Sequence, residues 1–297
     1  MHDLAGGPVT YVNVGHSNLR AQVFAAVKSH EKSRIIVLIH DIIPLSYPEY
    51  SRREVTARFR ADMVRVARLA DGVIYNSAAT RSEAEQAFVG FGRVPPGMVA
   101  HLGLDQDFIA PDQRFAVAFE RPRFHIVGTI EPRKNHMLLL QIWREMLREL
   151  PANEVPELHI IGRRGWNNDN VFNILDTDPM MGHQVFEHNS MTDAQLGRAL
   201  ASSWGLLFPS HAEGFGLPLI EAAACGIPIL CGENTISREV LGDYPLYLNV
   251  DNSYAWKQGI LGRAGRKRES EADRKARGGT VSIPDWPSHF DRIFRFI

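Results

Sequence analysis

The sequence contains only two cysteines among its 297 residues, Cys225 and Cys231, and both stand in or beside apolar runs. Two thiols cannot build the disulfide framework of a small secreted domain, and no zinc-type spacing of Cys and His is present. We therefore expect reduced, buried thiols in a reducing compartment and no metal site.

The chain also has no excess of charge of one sign, because it contains 33 Lys and Arg residues and 34 Asp and Glu residues, for a net charge of −1. This balance gives no general case for nucleic-acid binding. The apolar runs are far shorter than the about 18 residues that a transmembrane helix needs. Residues 1–8 lack the basic flank and apolar core of a secretory signal. We therefore expect a cytoplasmic protein.

Glycine-rich nucleotide motifs are absent as well: the chain has neither G-x-G-x-x-G nor a P-loop, which argues against a dehydrogenase and an NTPase. Apolar strand-like runs instead alternate with helical patterns, which predicts an α/β protein with parallel sheets. The length suits two domains of roughly 100–200 residues. Strands are predicted at residues 10–14, 35–39, 72–75 and 98–100, and then at 124–128, 158–162, 184–187, 205–208 and 228–231.

The domain boundary is predicted in the polar stretch 105–123, which separates three or four strands from about five. We expect a first domain at residues 1–113 and a second at 114–283. Residues 284–297 carry apolar side chains at helical spacing, which predicts a closing helix packed back toward the first domain.

The most informative segment reads HAEGFGLPLIE, from His211 to Glu221. The apolar run before it predicts a buried strand, and residues 217–224 predict a helix with Pro218 near its first position. Unpaired N–H groups at a helix N-terminus suit an anion such as a diphosphate, and Gly214 and Gly216 allow close approach of a ligand. A glutamate in the first helical turn is also favoured by the macrodipole, so Glu221 taken alone has an ordinary explanation.

A second candidate segment, GTIEPRKN from Gly128 to Asn135, opens the second domain at its first strand-to-helix turn. Arg133 and Lys134 stand at a helix start, where their charge opposes the macrodipole unless an anion binds between them. Ligands of open α/β sheets bind at the carboxyl ends of strands, so we predict a diphosphate site here rather than an exposed basic pair.

The third candidate is His40, which with Asp41 follows the strand at 35–39 in the run IHDIIPL. A histidine there is as often a packing residue as a catalytic one, and Asp41 has the alternative role of holding the loop through backbone hydrogen bonds.

Less specific candidates follow two further strands: Arg163 and Arg164 in one loop, and Glu187 and His188 in the next. The basic segment 263–277 predicts a solvated helix face, and a weak contact with anionic lipid is its alternative interpretation.

Taken together, the HAEGFGLPLIE, EPRKN and HDIIPL segments resemble glycosyltransferase family 4, the group 1 glycosyltransferases, and most closely its mannosyltransferase-like members. The resemblance implies retaining enzymes of GT-B architecture, with two Rossmann-type, doubly wound parallel-sheet domains. It implies catalytic roles beside the donor sugar for Glu213 and His40. It assigns donor binding to the following residues: Arg133, Lys134, Gly214, Phe215, Gly216, Leu217 and Glu221.

In that family Arg133 and Lys134 would meet the phosphates and Glu221 the ribose, and no metal cofactor is expected. The implied partners are a nucleotide sugar, with GDP-mannose as the expected donor, and a glycan or lipid-linked acceptor. The alternatives are a non-catalytic nucleotide-sugar-binding or scaffold subunit and, more weakly, a sugar-nucleotide epimerase.

The chain departs from the family in lacking the usual upstream strand and Gly-rich loop of the first domain. We therefore expect the first domain to be incomplete, with an exposed sheet edge that favours self-association. Peripheral contact with the inner face of a membrane is a further expectation.

Overall fold

The computed structural model describes residues 7–104, 121–266 and 269–297. The chain divides into two compact units. The first comprises the chain up to Gly103 together with Glu213–Phe215 and Pro284–Ile297. The second runs over Leu104–Ala212 and Gly216–Ile283.

The first unit is built on a four-stranded parallel sheet in the order β1-β2-β3-β4. Its strands are β1 (Thr10–Asn13), β2 (Arg34–Ile39), β3 (Gly72–Tyr75) and β4 (Gly97–Val99). Its helices are α1 (Ala21–Lys28), α2 (Ile43–Ser46), α3 (Arg53–Leu69), α4 (Ala78–Gly90) and, from the end of the chain, α12 (Trp286–Phe296).

Both faces of this sheet are apolar, as expected of parallel strands covered on two sides. One face, which carries Val37, packs against the buried side chains of Phe24, Met63 and Phe88. The opposite face, which carries Ile36, packs against Ile293 of α12. The closing helix therefore covers a sheet face of the first unit.

The second unit contains a six-stranded parallel sheet in the order β10-β9-β8-β5-β6-β7. Its strands are β5 (Arg123–Val127), β6 (Glu157–Ile161), β7 (Val185–His188), β8 (Gly205–Phe208), β9 (Ile229–Gly232) and β10 (Leu246–Leu248). Its helices are α5 (His136–Glu149), α6 (Asp169–Thr177), α7 (Asp193–Ala201), α8 (Leu217–Ala224), α9 (Thr235–Leu241), α10 (Ser253–Ala264) and α11 (Glu271–Gly278).

The order of the strands reverses between β5 and β8, which are neighbours in the sheet although two strands separate them in the chain. From β5 the sheet grows through β6 in one direction and through β8 in the other. The connections that follow β5 and β8 therefore leave in opposite directions, and the crevice between them is the usual ligand site of such sheets.

The predicted α/β class with two parallel sheets is confirmed, and each predicted strand lies within one residue of an observed one. Four of the helices and strands were not predicted: the short helix α2, the edge strand β10, helix α10, and helix α6, which begins inside a stretch interpreted as loop. β10 has three residues and α2 four, too few to show a periodic pattern.

The predicted boundary between residues 113 and 114 lies outside the described residues. Glu213–Phe215 groups with the first unit, although a continuous second domain at 114–283 was predicted. Cys231 is buried, as predicted, whereas Cys225 is partly exposed, and both are thiols. Within the described residues, no helix is long and apolar enough to cross a membrane.

The basic segment 263–277 differs from the predicted solvated face at two positions. The Arg274 side chain is 2% exposed, and its guanidinium donates to the carbonyl oxygens of Ala201 at 2.6 Å and Ser203 at 2.8 Å. Arg263 is also buried, and its Nε donates to the carbonyl oxygen of Trp204 at 2.9 Å. These arginines satisfy backbone acceptors in the turn that joins α7 to β8, so the prediction was wrong for them. Lys267 and Arg268 lie outside the described residues.

Replacing Arg274 with methionine should lower the free energy of unfolding by about 2–4 kcal/mol, because two buried carbonyl groups lose their charged donor. Lys275→Met is the matched control, since Lys275 is an exposed cation on the same helix. Urea unfolding followed by circular dichroism measures both. Equal stability losses in the two variants would contradict the structural role of Arg274.

Candidate functional site

Arg133 joins the two loops that follow β5 and β8. Its carbonyl oxygen accepts from the backbone N–H of His211 at 2.8 Å, and its Nη1 donates to the carbonyl oxygen of Ala212 at 2.8 Å. Its Nη2 lies 2.6 Å from Oε1 of Glu131, which is buried. The guanidinium thus holds the loops together at the point where the strand order reverses.

Lys134 is a buried cation at the same edge of the sheet. Its side chain is largely desolvated, at 6% exposure for the residue, and its Nζ lies 4.7 Å from the ring centroid of Phe208 at the end of β8. Its stem lies beside Gly128, where an added Cβ would be 3.3 Å from Cε. A cation over an aromatic face in a dehydrated setting is attracted to the ring and interacts strongly with an incoming anion.

Helix α8 begins beside this cation-bearing edge of the second unit's sheet, at the carboxyl end of β8. Gly216 occupies its N-cap position with φ +86°, a left-handed conformation that favours glycine, and Pro218 lies in the first turn as predicted. Leu217, the first helical residue, is exposed. Pro218 has no N–H, and the N–H of Leu219 already donates to the carbonyl oxygen of Gly216 at 2.9 Å. The helix start therefore offers a ligand the N–H of Leu217 and its partial positive charge.

Glu221 lies one turn into α8 and is half-buried. Among the described residues, none forms a hydrogen bond or ion pair with its carboxyl group. Burial raises the pKa of Glu221 to about 7, and the nearby charge of Asp193 acts in the same direction. A desolvated carboxylate without a partner is unusual in a folded protein and is typical of groups that await a ligand.

The segment Glu213–Phe215 is held by residues of the first unit. An added Cβ on Gly214 would lie 3.0 Å from the carbonyl oxygen of His40, so only glycine allows this approach without a shift. Thr80 donates through its Oγ1 to the carbonyl oxygen of Gly214 at 3.3 Å, and the ring of Phe215 contacts that of His101 at 5.8 Å between centroids. Glu213 is buried at 8% exposure.

His40 is fixed at the carboxyl end of β2 by its neighbours. Its Nε2 lies 2.8 Å from the carbonyl oxygen of Val14, which makes Nε2 the protonated nitrogen in the neutral ring. Its own carbonyl oxygen accepts from Nδ2 of the buried Asn76 at 2.7 Å. Asp41 accepts from the N–H of Ile43 at 3.0 Å, which is the loop-holding role given as its alternative.

The predicted residues thus fall into two groups. His40, Glu213, Gly214 and Phe215 belong to the first unit, and Arg133, Lys134, Gly216, Leu217 and Glu221 belong to the second. Glu131, Asn76 and Thr80, which hold these residues in place, were not predicted from the sequence, and neither was Asp193, whose charge lies near Glu221. Glu131 alone gave a signal, because a carboxylate two residues before Arg133 is close enough to pair with it.

Three of the weaker candidates, Arg164, Glu187 and His188, are engaged with other protein groups, whereas Arg163 is exposed. Arg164 pairs with Glu187 at 2.8 Å and with Asp176 at 2.7 Å, and the His188 ring stacks on that of His159. Within the described ranges, no group of three or more His, Cys, Asp or Glu residues is arranged to hold a metal ion.

Comparison with known proteins places the chain in a family. Residues 110–260, about half of the chain, match the family model described as Glycosyl transferases group 1. The serotype-specific mannosyltransferase WbdA of Escherichia coli is 32% identical over 234 residues, which cover 74% of this chain and 27% of that protein. The chain therefore belongs to the group 1 glycosyltransferases.

A second relative, the O-antigen chain mannosyltransferase B of Escherichia coli, is 27% identical over 242 residues, which cover 78% of this chain and 61% of that protein. The chain thus spans about a quarter of the length of WbdA and less than two thirds of this relative.

Among solved structures, sucrose-phosphate synthase from Thermosynechococcus elongatus superposes with a TM-score of 0.76 at 15% identity, covering 99% of this chain and 74% of that one. At that identity the likeness shows the fold alone, which is the GT-B fold of glycosyltransferases.

The raised pKa of Glu221 predicts a pH-dependent stability. The carboxyl group is easier to ionise in the unfolded chain, near pH 4.5, than in the folded protein, near pH 7, so stability falls as pH rises through this interval. Glutamine does not ionise, so Glu221→Gln avoids this loss of stability at high pH. The variant should have a free energy of unfolding about 1–2 kcal/mol higher than the original protein at about pH 8, and an unchanged one at about pH 4.

Urea unfolding at both pH values tests this, with Glu154→Gln as the control because Glu154 is an exposed glutamate of the same unit. If Glu221→Gln and Glu154→Gln respond to pH alike, the environment assigned to Glu221 is wrong.

Proposed function

We propose that this chain acts in a retaining glycosyltransferase that moves a mannosyl group from a nucleoside diphosphate donor to a hydroxyl group of a glycan or lipid-linked acceptor. The observation that carries the proposal is the combination, at the strand-order reversal of the second unit, of a buried cation, a helix N-terminus and a carboxyl group that has no partner among the described residues. The two relatives named as mannosyltransferases support mannose as the transferred sugar.

The diphosphate is the group that this arrangement suits best. When the bond between the sugar and the diphosphate breaks, negative charge develops on the leaving oxygen, and fixed donors that already point there lower the barrier. Lys134 supplies a desolvated ammonium, and the start of α8 supplies the N–H of Leu217 and the partial positive charge of the helix. We assign the neutralisation of the leaving group to these groups and to the neighbouring Arg133, without a metal ion.

The ribose is the proposed partner of Glu221. Two adjacent hydroxyl groups can both donate to one carboxylate, and such bonds to an ionised acceptor are stronger than neutral ones. A phosphate offers no such pair, and of the common bases only guanine does, through its N1–H and N2–H groups. The absence of any hydrogen-bond partner for this carboxyl group among the described residues supports a ligand in that role.

The donor sugar is the proposed partner of His40 and Glu213. Since Nε2 of His40 donates to Val14, its Nδ1 is the acceptor and can receive a sugar hydroxyl. Glu213 supplies a buried carboxylate in a segment fixed by Gly214 and Thr80. GDP is the proposed nucleotide, on the resemblance to GDP-mannose enzymes.

Nucleotide binding separates the two assigned roles in the second unit. Lys134→Ala should weaken binding of GDP and of pyrophosphate by about 1.5–3 kcal/mol, because both lose a charge-assisted hydrogen bond. Glu221→Ala should weaken GDP binding but leave pyrophosphate binding unchanged, because pyrophosphate has no ribose. Isothermal titration calorimetry with GDP, UDP and pyrophosphate, with and without EDTA, measures these affinities.

The control for Lys134→Ala is Lys275→Ala, which removes an exposed lysine of the same unit. Failure of every nucleoside diphosphate to bind the original protein would overturn the proposal. Loss of binding in EDTA would overturn its metal-free part, and equal loss of pyrophosphate affinity in both variants would overturn the role of Glu221.

Nucleotide binding should also be coupled to proton release. The pKa of Glu221 is raised to about 7 in the free protein, and ribose hydroxyls that donate to the carboxylate would lower it. GDP affinity should therefore rise with pH up to about pH 7 and then level off, and binding at about pH 6.5 should release a proton. Calorimetry in buffers of different ionisation enthalpy measures the release, and Glu221→Gln should reduce it to the part that comes from the terminal phosphate of the nucleotide.

The reaction class is tested by NMR of GDP-mannose incubated with the chain and a mannose-terminated oligosaccharide. The proposal expects GDP release with a newly formed α-mannosyl product, as retention of the donor configuration requires. A β-linked product would contradict retention. Interconversion of nucleotide sugars without an acceptor would instead indicate an epimerase.

A further inference from the structure

A second histidine lies beside His40 in the first unit. The loop after β1 carries His16, whose Nε2 accepts a hydrogen bond from the backbone N–H of His40 at 3.2 Å. The two rings meet edge to face with centroids 5.6 Å apart, and the other side of His16 contacts the ring of Phe59 at 5.2 Å. The same loop supplies the carbonyl oxygen of Val14 to the ring of His40. Both the main chain and the side chain of His40 are thus tied to this loop.

The loop has its own supports, which do not involve His40. The buried Asn13 donates through Nδ2 to the carbonyl oxygen of Ser17 at 2.7 Å, and its Oδ1 accepts from the N–H of Gly15 at 3.3 Å. Arg65 of α3 donates to the carbonyl oxygen of Leu19 just beyond. Because this loop is fixed independently, it can hold His40, which follows the neighbouring strand β2, in one position.

We propose that His16 is a positioning residue, which holds His40 in the orientation that presents its Nδ1 to the donor sugar. The inference rests on the function proposed above. Phe59 and the edge of the sheet surround His16, so a packing role needs only a ring of similar size. The positioning role needs in addition an acceptor atom at the place of Nε2.

The acceptor role requires His16 to be neutral, because a protonated ring has only donors. Burial lowers the pKa of His16, which favours the neutral ring. The charged and titratable groups around it are Asp41 and Asp62, which favour protonation, and His40, which opposes it. Asp62 is itself paired with Arg65 at 2.7 Å.

Two substitutions separate positioning from packing. Glutamine places an amide oxygen near the position of Nε2, so His16→Gln keeps an acceptor, whereas His16→Phe keeps the ring and removes the acceptor. With GDP-mannose as donor, His16→Phe should lower kcat about tenfold to a hundredfold with little change in the donor KM, as expected for a misplaced site residue. His16→Gln should restore most of the loss. In the original protein, protonation of His16 should lower kcat at acid pH. In His16→Gln this contribution to the pH dependence of kcat should be absent.

A second measurement does not depend on activity. In protein labelled with ¹⁵N-histidine, the neutral form of the His40 ring should carry its proton on Nε2. Exchange of its backbone amide should be about tenfold faster in His16→Phe than in the original protein and in His16→Gln. Urea unfolding verifies that each variant is folded.

An unchanged His40 amide and ring in folded His16→Phe would overturn the inference, as would folded His16→Gln with a kcat as low as that of His16→Phe. If no protein turns over the donor, the proposed function fails, and the exchange and tautomer measurements alone decide whether His16 positions His40.

Discussion

The reversal of strand order between β5 and β8 is the constraint on which the second unit depends. The strands β5 and β8 are adjacent and parallel, and the connections that follow them leave in opposite directions. A crevice therefore remains at the carboxyl ends of both strands. Arg133 then ties the two exposed loops together through His211 and Ala212, at the cost of one buried carboxylate, Glu131. Lys134 and the start of α8 owe their positions to this arrangement, because each follows directly from one of the two loops.

The approach to β8 is fixed from the other side by buried arginines. Arg263 and Arg274 donate to three backbone carbonyl groups at the turn that precedes the strand, those of Ala201, Ser203 and Trp204. A turn buried under other elements has no water to satisfy its acceptors, so a charged donor from a distant helix takes that role. Two arginines of the basic segment 263–277 thus support β8, the strand that leads into the site.

The electrostatic character of the second unit's site comes from groups that are partly removed from water. Lys134 is held over the ring of Phe208, and burial raises the pKa of Glu221, whose carboxyl group has no partner in the part of the chain that the structure describes. Charged groups in such surroundings interact more strongly with a ligand than exposed ones do. In the first unit the comparable constraint is geometric, since Gly214, Asn76 and the loop after β1 each contact His40.

The sequence by itself determined the α/β class, nearly all the strands, the helix that begins at Leu217 and the segments around Arg133 and Glu221. Those features depend on apolar runs and on Gly and Pro at fixed places, which are local signals. Only the tertiary structure decided that Arg274 is buried, that Glu213–Phe215 groups with the first unit and that His16 meets His40. Burial and choice of partner depend on residues that are far apart in the chain, and no local pattern specifies which of them meet.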